Sequence, residues 1–242
     1  MKNMKKVILF VSVLTLSMGA LSAQSVEQIV AKHLRAIGGT EKLRQIKSIV
    51  MENAVKVQGL EIENSTAIII GKAVRSDSKI MGNELVQAFD GVTSWAITPV
   101  VMGGTGEPQV MTAEMAKSII TQIDPFPLLN YIEKGTGLEL LPPEQINNRA
   151  AYHLRISPNG GAESEIWVDV YSGLISKLKT IQNGQEAEMF FSNYAVIGGI
   201  TFAMNMEMSN PMAGVITVNT KAVKLNIAVD DLIFKMPTTK IK

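Results

Sequence analysis

The chain has no cysteine and only two histidines among its 242 residues. The first absence excludes disulfides, thiolate nucleophiles, Cys-ligated zinc and a lipidated N-terminal cysteine. The second leaves little for metal or acid–base chemistry, since His33 and His153 stand alone without spaced carboxylate partners. His33 falls on an apolar helical face and reads as a core or boundary residue, and His153 reads as a solvent-face strand position. Charge of one sign is missing too: Lys+Arg 23 against Asp+Glu 22 gives net +1, no electrostatic footprint for nucleic acid. Gly 19 and Pro 9 are too few for a low-complexity chain.

Catalytic signatures are equally absent. There is no Gly-x-Ser-x-Gly elbow. The run Gly103-Gly104-Thr105-Gly106 lacks the Gly-Lys-Ser/Thr ending of a phosphate loop. Asp169 and Asp230-Asp231 read as strand-end and turn carboxylates, and Asn64-Ser65-Thr66 is a glycosylation sequon by spelling only. The expectation is a non-enzymatic protein with no cofactor and no metal.

Residues 1–23 read as an address. Lys2, Lys5 and Lys6 precede an apolar run from Val7 to Leu16, and small residues follow at Gly19, Ala20, Ser22 and Ala23. That order describes a secretory signal peptide, with cleavage expected after Ala23 and cleavage after Ser22 as the rival. The run is shorter than the ~20 residues a spanning helix needs. Removal takes three lysines and no acid, leaving 20 basic and 22 acidic residues, net −2. The mature chain, 24–242, is expected to be one domain without a stable membrane anchor.

Two short helices open that domain. Ser25 and Gln28 have capping-box spacing, and Val26, Ile29, Val30, His33, Leu34 and Ile37 share a face up to the stop at Gly38-Gly39. Thr40 caps a second helix through Leu43 and Ile46. From Ser48 the period becomes two. Strands are expected around 50–57 and 62–70, then over 79–89, 92–98, 138–146, 150–157, 164–170, 174–182, 186–197, 200–208 and 214–227. Tight-turn pairs such as Asp90-Gly91, Ser172-Gly173, Asn183-Gly184 and Gly198-Gly199 join them. About ten such strands make a large antiparallel meander, which must curl and have its concave face filled or covered. One segment interrupts it: Thr112 caps a helix carrying Met115, Ile119, Ile120 and Ile123, and Asp124-Pro125 starts a further helix carrying Phe126, Leu128, Leu129 and Ile132. The expected fold is α+β and mainly β: a large curved antiparallel sheet, an incomplete β-barrel, with helices as a lid over its apolar concave face.

Methionine is the compositional anomaly, with 14 in the chain and eleven after residue 23. Met204, Met206 and Met208 alternate and so share one face of a strand, while Met102, Met111 and Met115 surround the helical insertion. Flexible, polarizable side chains suit either ordinary core filling or a cavity that accepts a mobile alkyl chain. Trp95 either packs in the sheet or lines the mouth of that cavity. The candidate acyl-chain lining is therefore Trp95, Met102, Met111, Met115, Ile119, Phe126, Leu129, Met204, Met206 and Met208.

Several motifs resemble a known family. Asp90-Gly91-x3-Trp95-x3-Pro99 resembles the Asp-Gly-x3-Trp-x3-Pro strand of LolA-type periplasmic lipoprotein carriers. Trp167-Val168-Asp169-x-x-Ser172-Gly173-Leu174 is similar to a later hairpin of the wider lipoprotein-sorting superfamily, LolB and LppX-type proteins included. The opening His33-Leu34-x-Ala36-Ile37-Gly38-Gly39 and the close from Asn226 through Asp230-Asp231-Leu232-Ile233-Phe234-Lys235-Met236-Pro237 look like theirs as well. The resemblance implies an incomplete barrel around a hydrophobic cavity, carriage of lipid or lipoprotein acyl chains, and a periplasmic monomer, with room for a membrane-bound donor or acceptor. It places Arg75 where LolA has its gating arginine, although the arginine-proline-asparagine context there is replaced by Arg75-Ser76-Asp77-Ser78. A competing expectation is an exported sheet used as a protein-interaction or sensor scaffold, with a fully packed core and no lipid.

Overall fold

The computed structural model describes residues 24–159, 162–182, 185–210 and 214–238. The signal-peptide reading falls on 1–23, outside them. Two helices, α1 (Val26–Ala36) and α2 (Thr40–Arg44), precede the sheet. Ser25 and Gln28 cap α1 reciprocally, Ser25 Oγ accepting from the Gln28 amide while Gln28 Oε1 accepts from that of Ser25.

Thirteen strands then form one antiparallel sheet. They are β1 (Ser48–Val57), β2 (Leu60–Ile69), β3 (Ala73–Ile80), β4 (Asn83–Phe89), β5 (Ser94–Ile97), β6 (Pro108–Val110), β7 (Gly137–Ile146), β8 (Arg149–Ser157), β9 (Ser164–Asp169), β10 (Ile175–Gln182), β11 (Gln185–Ile197), β12 (Ile200–Asn210) and β13 (Gly214–Leu225). Their order across the sheet is β6-β5-β4-β3-β2-β1-β13-β12-β11-β10-β9-β8-β7. The domain thus starts its sheet in the middle, walks out to β6, jumps to the far edge at β7 and walks back until β13 pairs with β1. Residues 111–136 make the jump. They contain α3 (Ala113–Ile120), capped by Thr112, and a 3-10 turn over Thr121–Ile123.

Two expectations about these elements are corrected. The strand expected over 79–89 is a hairpin, because Met81 and Gly82 both take positive φ (49° and 83°), the geometry of a type I′ turn. The further helix expected from Asp124 does not form. Asp124 leaves the helical region at φ −117°, ψ 80°, and Pro127 follows Phe126, so residues 125–135 run as turns.

The register assigns the paired strand residues to one of two faces. Ile49, Ile68, Val74, Phe89 and Val223 are on the face that meets the helices, here the inner face. Ile37, Leu43 and Ile46 from the N-terminal segment, with Ile119 and Phe126 from the crossing segment, close one core cluster there. A second joins Ile29, Val30 and Leu128 to Leu154, Ile156, Ile166 and Val168. Each buried Leu or Ile in such a cluster contributes roughly 1.5–3 kcal/mol over leaving it exposed.

The helical segments are tied to turns at one end of the sheet. The His33 ring lies with Nδ1 2.9 Å from the Gly173 carbonyl, and Lys32 donates to that of Val170. Thr201 N–H donates to the Ile37 carbonyl, and Gly71 N–H donates to that of Ile123. Gly38 permits a close approach: its φ is +132°, and a Cβ there would lie 2.7 Å from the Gly199 carbonyl oxygen. Both edges of the sheet are blunted, β6 by being three residues long and β7 by Pro142-Pro143 beside a register shift between Leu141 and Glu144.

Two buried titrating groups make the fold acid-sensitive. Burial holds His33 below the ordinary 6.5. The Arg149 hydrogen bond holds Asp169 well below the usual carboxylate range. Both folded-state values are depressed, so the unfolded chain takes up protons first and stability falls as pH falls. The urea midpoint should decline from about pH 6.5 downward and more steeply below about pH 4. His33→Gln should flatten the first limb and Asp169→Asn the second, read by urea titrations across pH 3–8.

Candidate functional site

Charge divides the two faces completely. Following the register outward from Ile49, every Asp, Glu, Lys and Arg that the strand ladders pair lies on the outer face; Lys221, left unpaired by the register shift between Glu52 and Asn53, lines the outer-face cleft with Glu52 and Glu63. There they form cross-strand pairs such as Lys56–Glu61, Lys224–Glu52, Lys177–Glu188 and Lys179–Glu186. Among the described residues that the ladders pair, the inner face carries apolar and neutral polar side chains only.

Inner-face residues fall into transverse rows. At the helix-covered end, Val74, Ile68, Ile49 and Leu225 make an apolar row in the packed core. Two rows further along, Ser78, Asn64, Asn53 and Thr220 make a polar one. Beyond it the face turns apolar again. One row is Ile62, Val55, Val218, Met206 and Phe191, and the next is Leu60, Val57, Ile216, Met208, Met189 and Leu178. These rows cross five and six strands, so they run roughly 20–25 Å at the ~4.8 Å strand spacing. Apart from the exposed Leu60 they are half-buried, and apart from Leu178 none packs into a core cluster. The long strands β11, β12, β13, β1 and β2 carry this apolar tract past the end where the helices are tied.

The predicted lining residues divide four ways. Met204, Met206 and Met208 share the inner face, half-buried, and Met206 and Met208 belong to the tract. Ile119 and Phe126 are buried in the packed cluster, with Met111 and Leu129 against it. Met102 and Met115 are exposed, at 53% and 54%. Trp95 lies on the opposite, outer face, fully buried beneath the C-terminal segment, its Nε1–H donating to the Phe234 carbonyl at 2.8 Å. The periodicity reading missed Met189, Phe191, Val55, Ile62, Ile216 and Val218, although their alternation along β1, β2, β11 and β13 was the available signal.

Arg75 is also on the outer face. Its guanidinium grips both carboxylate oxygens of Asp77, donates to the Ile233 carbonyl at 2.7 Å and sits 5.6 Å over the Trp95 ring. This arrangement fastens residues 231–236 to the back of β3–β5, where Phe234 is 1% exposed and Met236 packs against Val86, Ala88, Trp95 and Ile97. His153, expected on a solvent face, is on the outer face but buried, stacked 4.2 Å from Trp167 and between Glu144 and Glu165.

Two cavities lie away from the crossing segment. The larger, about 500 Å³, is a polar cleft on the outer face with Glu52, Glu63, Asp77, Lys79 and Glu84 on its walls. The smaller, about 80 Å³, lies between the C-terminal segment and Asp90. Among the described residues no cluster of three His, Cys, Asp or Glu could hold a metal, and no helix is long and apolar enough to cross a membrane.

No protein-family model matches the sequence. No curated protein matches it. Solved structures do. A LolA superfamily protein from Nitrosomonas europaea superposes with a TM-score of 0.59 at 13% identity, over 88% of this chain and 98% of the other. A DUF1329 family protein from Desulfovibrio piger gives 0.59 at 14%, over 87% and 97%. A Vibrio parahaemolyticus domain assigned to outer membrane lipoprotein sorting gives 0.56 at 13%, over 86% and 94%. The chain has the fold of these proteins.

Replacing Arg75 with Ala should release the C-terminal segment. Amide exchange at Phe234 and Lys235 should quicken, and stability should drop by only about 0.5–1 kcal/mol, because Asp77, 43% exposed, and the Ile233 carbonyl can turn to water when they lose their donor. Hydrogen-exchange mass spectrometry checks this, with α1 and its amides unchanged.

Proposed function

We propose that this protein is an exported, non-catalytic carrier that shelters the acyl chain of a lipid or lipoprotein on its inner face, and that it works as a periplasmic monomer. The observation that carries this reading is the apolar tract left outside the helical cover on a face without charge. Its ~20–25 Å width exceeds the ~15 Å of one leaflet's acyl chains, half of a ~30 Å hydrocarbon core. Burying roughly ten methylenes at about 0.8 kcal/mol each would give ~8 kcal/mol, micromolar affinity without a polar reader. The methionines supply side chains that repack around a mobile chain. Similarity to a LolA superfamily protein and a lipoprotein-sorting domain supports the same class. The proposed lining is Met204, Met206 and Met208 with Phe191, Val218, Ile216, Val55 and Ile62. Trp95 and Arg75 face away from it, and their work in this reading is to hold the C-terminal segment.

A second reading rests on one observation, the packed core beneath 113–133. A sheet with that centre filled also suits a scaffold that receives an apolar segment of another protein on its open rows.

Native mass spectrometry of residues 24–242, with organic extraction, decides between the two. Co-purified fatty-acyl, phospholipid or lipopeptide mass is the expected outcome. A clean apo mass that ignores added lipid moves the assignment to the scaffold. Met206→Glu should weaken uptake of a fluorescent acyl probe at least about tenfold, because a carboxylate buried under an alkyl chain has no cation on that face. Val196→Glu, at a 70%-exposed position on the outer face, should leave uptake unchanged.

A further inference from the structure

The row between the packed core and the open tract is polar, and its bonding pattern is incomplete in one direction. Asn64 is its hub. Asn64 Oδ1 accepts from Asn53 Nδ2 at 2.9 Å and from Thr66 Oγ1 at 3.1 Å. Asn64 Nδ2 donates to Ser76 Oγ at 2.8 Å and Ser78 Oγ at 3.0 Å. Thr220 Oγ1 donates to Asn53 Oδ1 at 2.9 Å, so the network spans β13, β1, β2 and β3. Each serine oxygen is therefore an acceptor already, and a serine hydroxyl has one proton of its own to give. Among the described residues no hydrogen bond takes the proton of Ser76 or Ser78. Both side chains are half-buried on the inner face, Ser78 in the row next to the one holding Ile62, Val55 and Val218.

We infer that this row reads the polar end of the cargo, and that the group it takes is an uncharged hydrogen-bond acceptor, the carbonyl of an ester-linked acyl chain. The inference rests on the carrier reading and narrows it. Two donors pointing into a face with no Lys or Arg select an acceptor without a full negative charge, since an ionised carboxylate or phosphate there would be desolvated with no counter-ion. Asn64 orients both serines at once, so the donors are fixed before the ligand arrives and little ordering cost remains. The acyl chain then extends from the serines along the tract toward Met206 and Met208, and any charged headgroup stays outside the sheet.

The test is displacement of an uncharged fluorescent probe, N-phenyl-1-naphthylamine, from the purified protein at pH 8. Three competitors share one chain length: 1-palmitoylglycerol, its 1-O-hexadecyl ether and palmitate. The expected result is that the ester displaces probe at concentrations about three- to tenfold below the ether and palmitate, the worth of one or two ordinary hydrogen bonds. Ser76→Ala with Ser78→Ala should erase that preference while the ether still competes, and the paired Ser→Thr variant, which keeps both hydroxyls, should retain it. Equal potency of ester and ether in the unmodified protein, or a preference for palmitate, overturns this inference and leaves the carrier reading standing. Failure of the probe and all three competitors to bind sinks the carrier reading itself, and this inference with it. The ester-to-ether ratio is measured on the unmodified protein, so the test survives a variant that fails to fold.

Discussion

The pairing of β1 with β13 governs the architecture. Because the first and last strands meet in the middle of the sheet, the two free edges, β6 and β7, are consecutive in sequence yet lie at opposite ends of a thirteen-strand array. The chain has to travel from one edge to the other, and it does so over the inner face, burying apolar residues there. Residues 111–136 make that journey, and Ile119, Phe126 and Leu128 become core residues on the way. The cover over the sheet follows from strand order. α1 and α2 fill what the crossing leaves open near the β9–β10 and β11–β12 turns, anchored by the His33–Gly173 and Ile37–Thr201 contacts.

The same order explains why the cover is incomplete. The helical elements are tied to turns at one end, through Gly71, Gly173 and Gly199, while the central strands run ten to thirteen residues. At about 3.3 Å per residue these strands outreach a single layer of helix, about 10 Å across. The tract from Val55 to Met208 lies in that overhang. Outer-face demands are different: Trp95, Val86 and Ile97 are apolar residues on the charged side, and the C-terminal segment exists there to cover them, fastened by Arg75 and by Lys235 on Asp90.

Much of this could be read from the residues before any coordinates. Alternation in 200–208 set three methionines on one face, Ser25/Gln28 announced α1, and Asp90-Gly91, Ser172-Gly173 and Gly198-Gly199 announced three of the hairpins, while the Asn183-Gly184 turn lies outside the described residues. What escaped the sequence had definite causes. Met81-Gly82 turns the chain with a non-glycine residue at positive φ, so nothing separated β3 from β4 in the pattern. Phe126-Pro127 broke a helix whose apolar spacing looked sound, because a periodicity count ignores the backbone restriction before proline. Trp95 packs in the sheet, one of its two expected places, but on the outer face: in β5 every residue is buried, so alternation is silent about which face a side chain takes. Only the register, Arg75 beside Ala88 and Ala88 beside Trp95, settles it.

An apolar tract outside the core is a liability unless something excludes the wrong contacts. Sheet proteins most often associate through edges, and both edges here are spoiled, β6 by brevity and β7 by Pro142-Pro143. The outer face repels apolar partners with its lattice of ion pairs. Contacts are thereby directed to the inner face, and there the absence of charge acts as a filter. A peptide segment brings backbone donors and acceptors that must all be satisfied. Beneath the tract the inner face offers a narrow polar band for that, Ser76 and Thr66 beside the Ser78–Asn64–Asn53–Thr220 row, and the tract itself is apolar. An alkyl chain with a single polar linkage asks for a single polar band. The asymmetry between one neutral hydrogen-bonding band and two open apolar rows is therefore what favours a lipid over a protein segment as the occupant of this sheet.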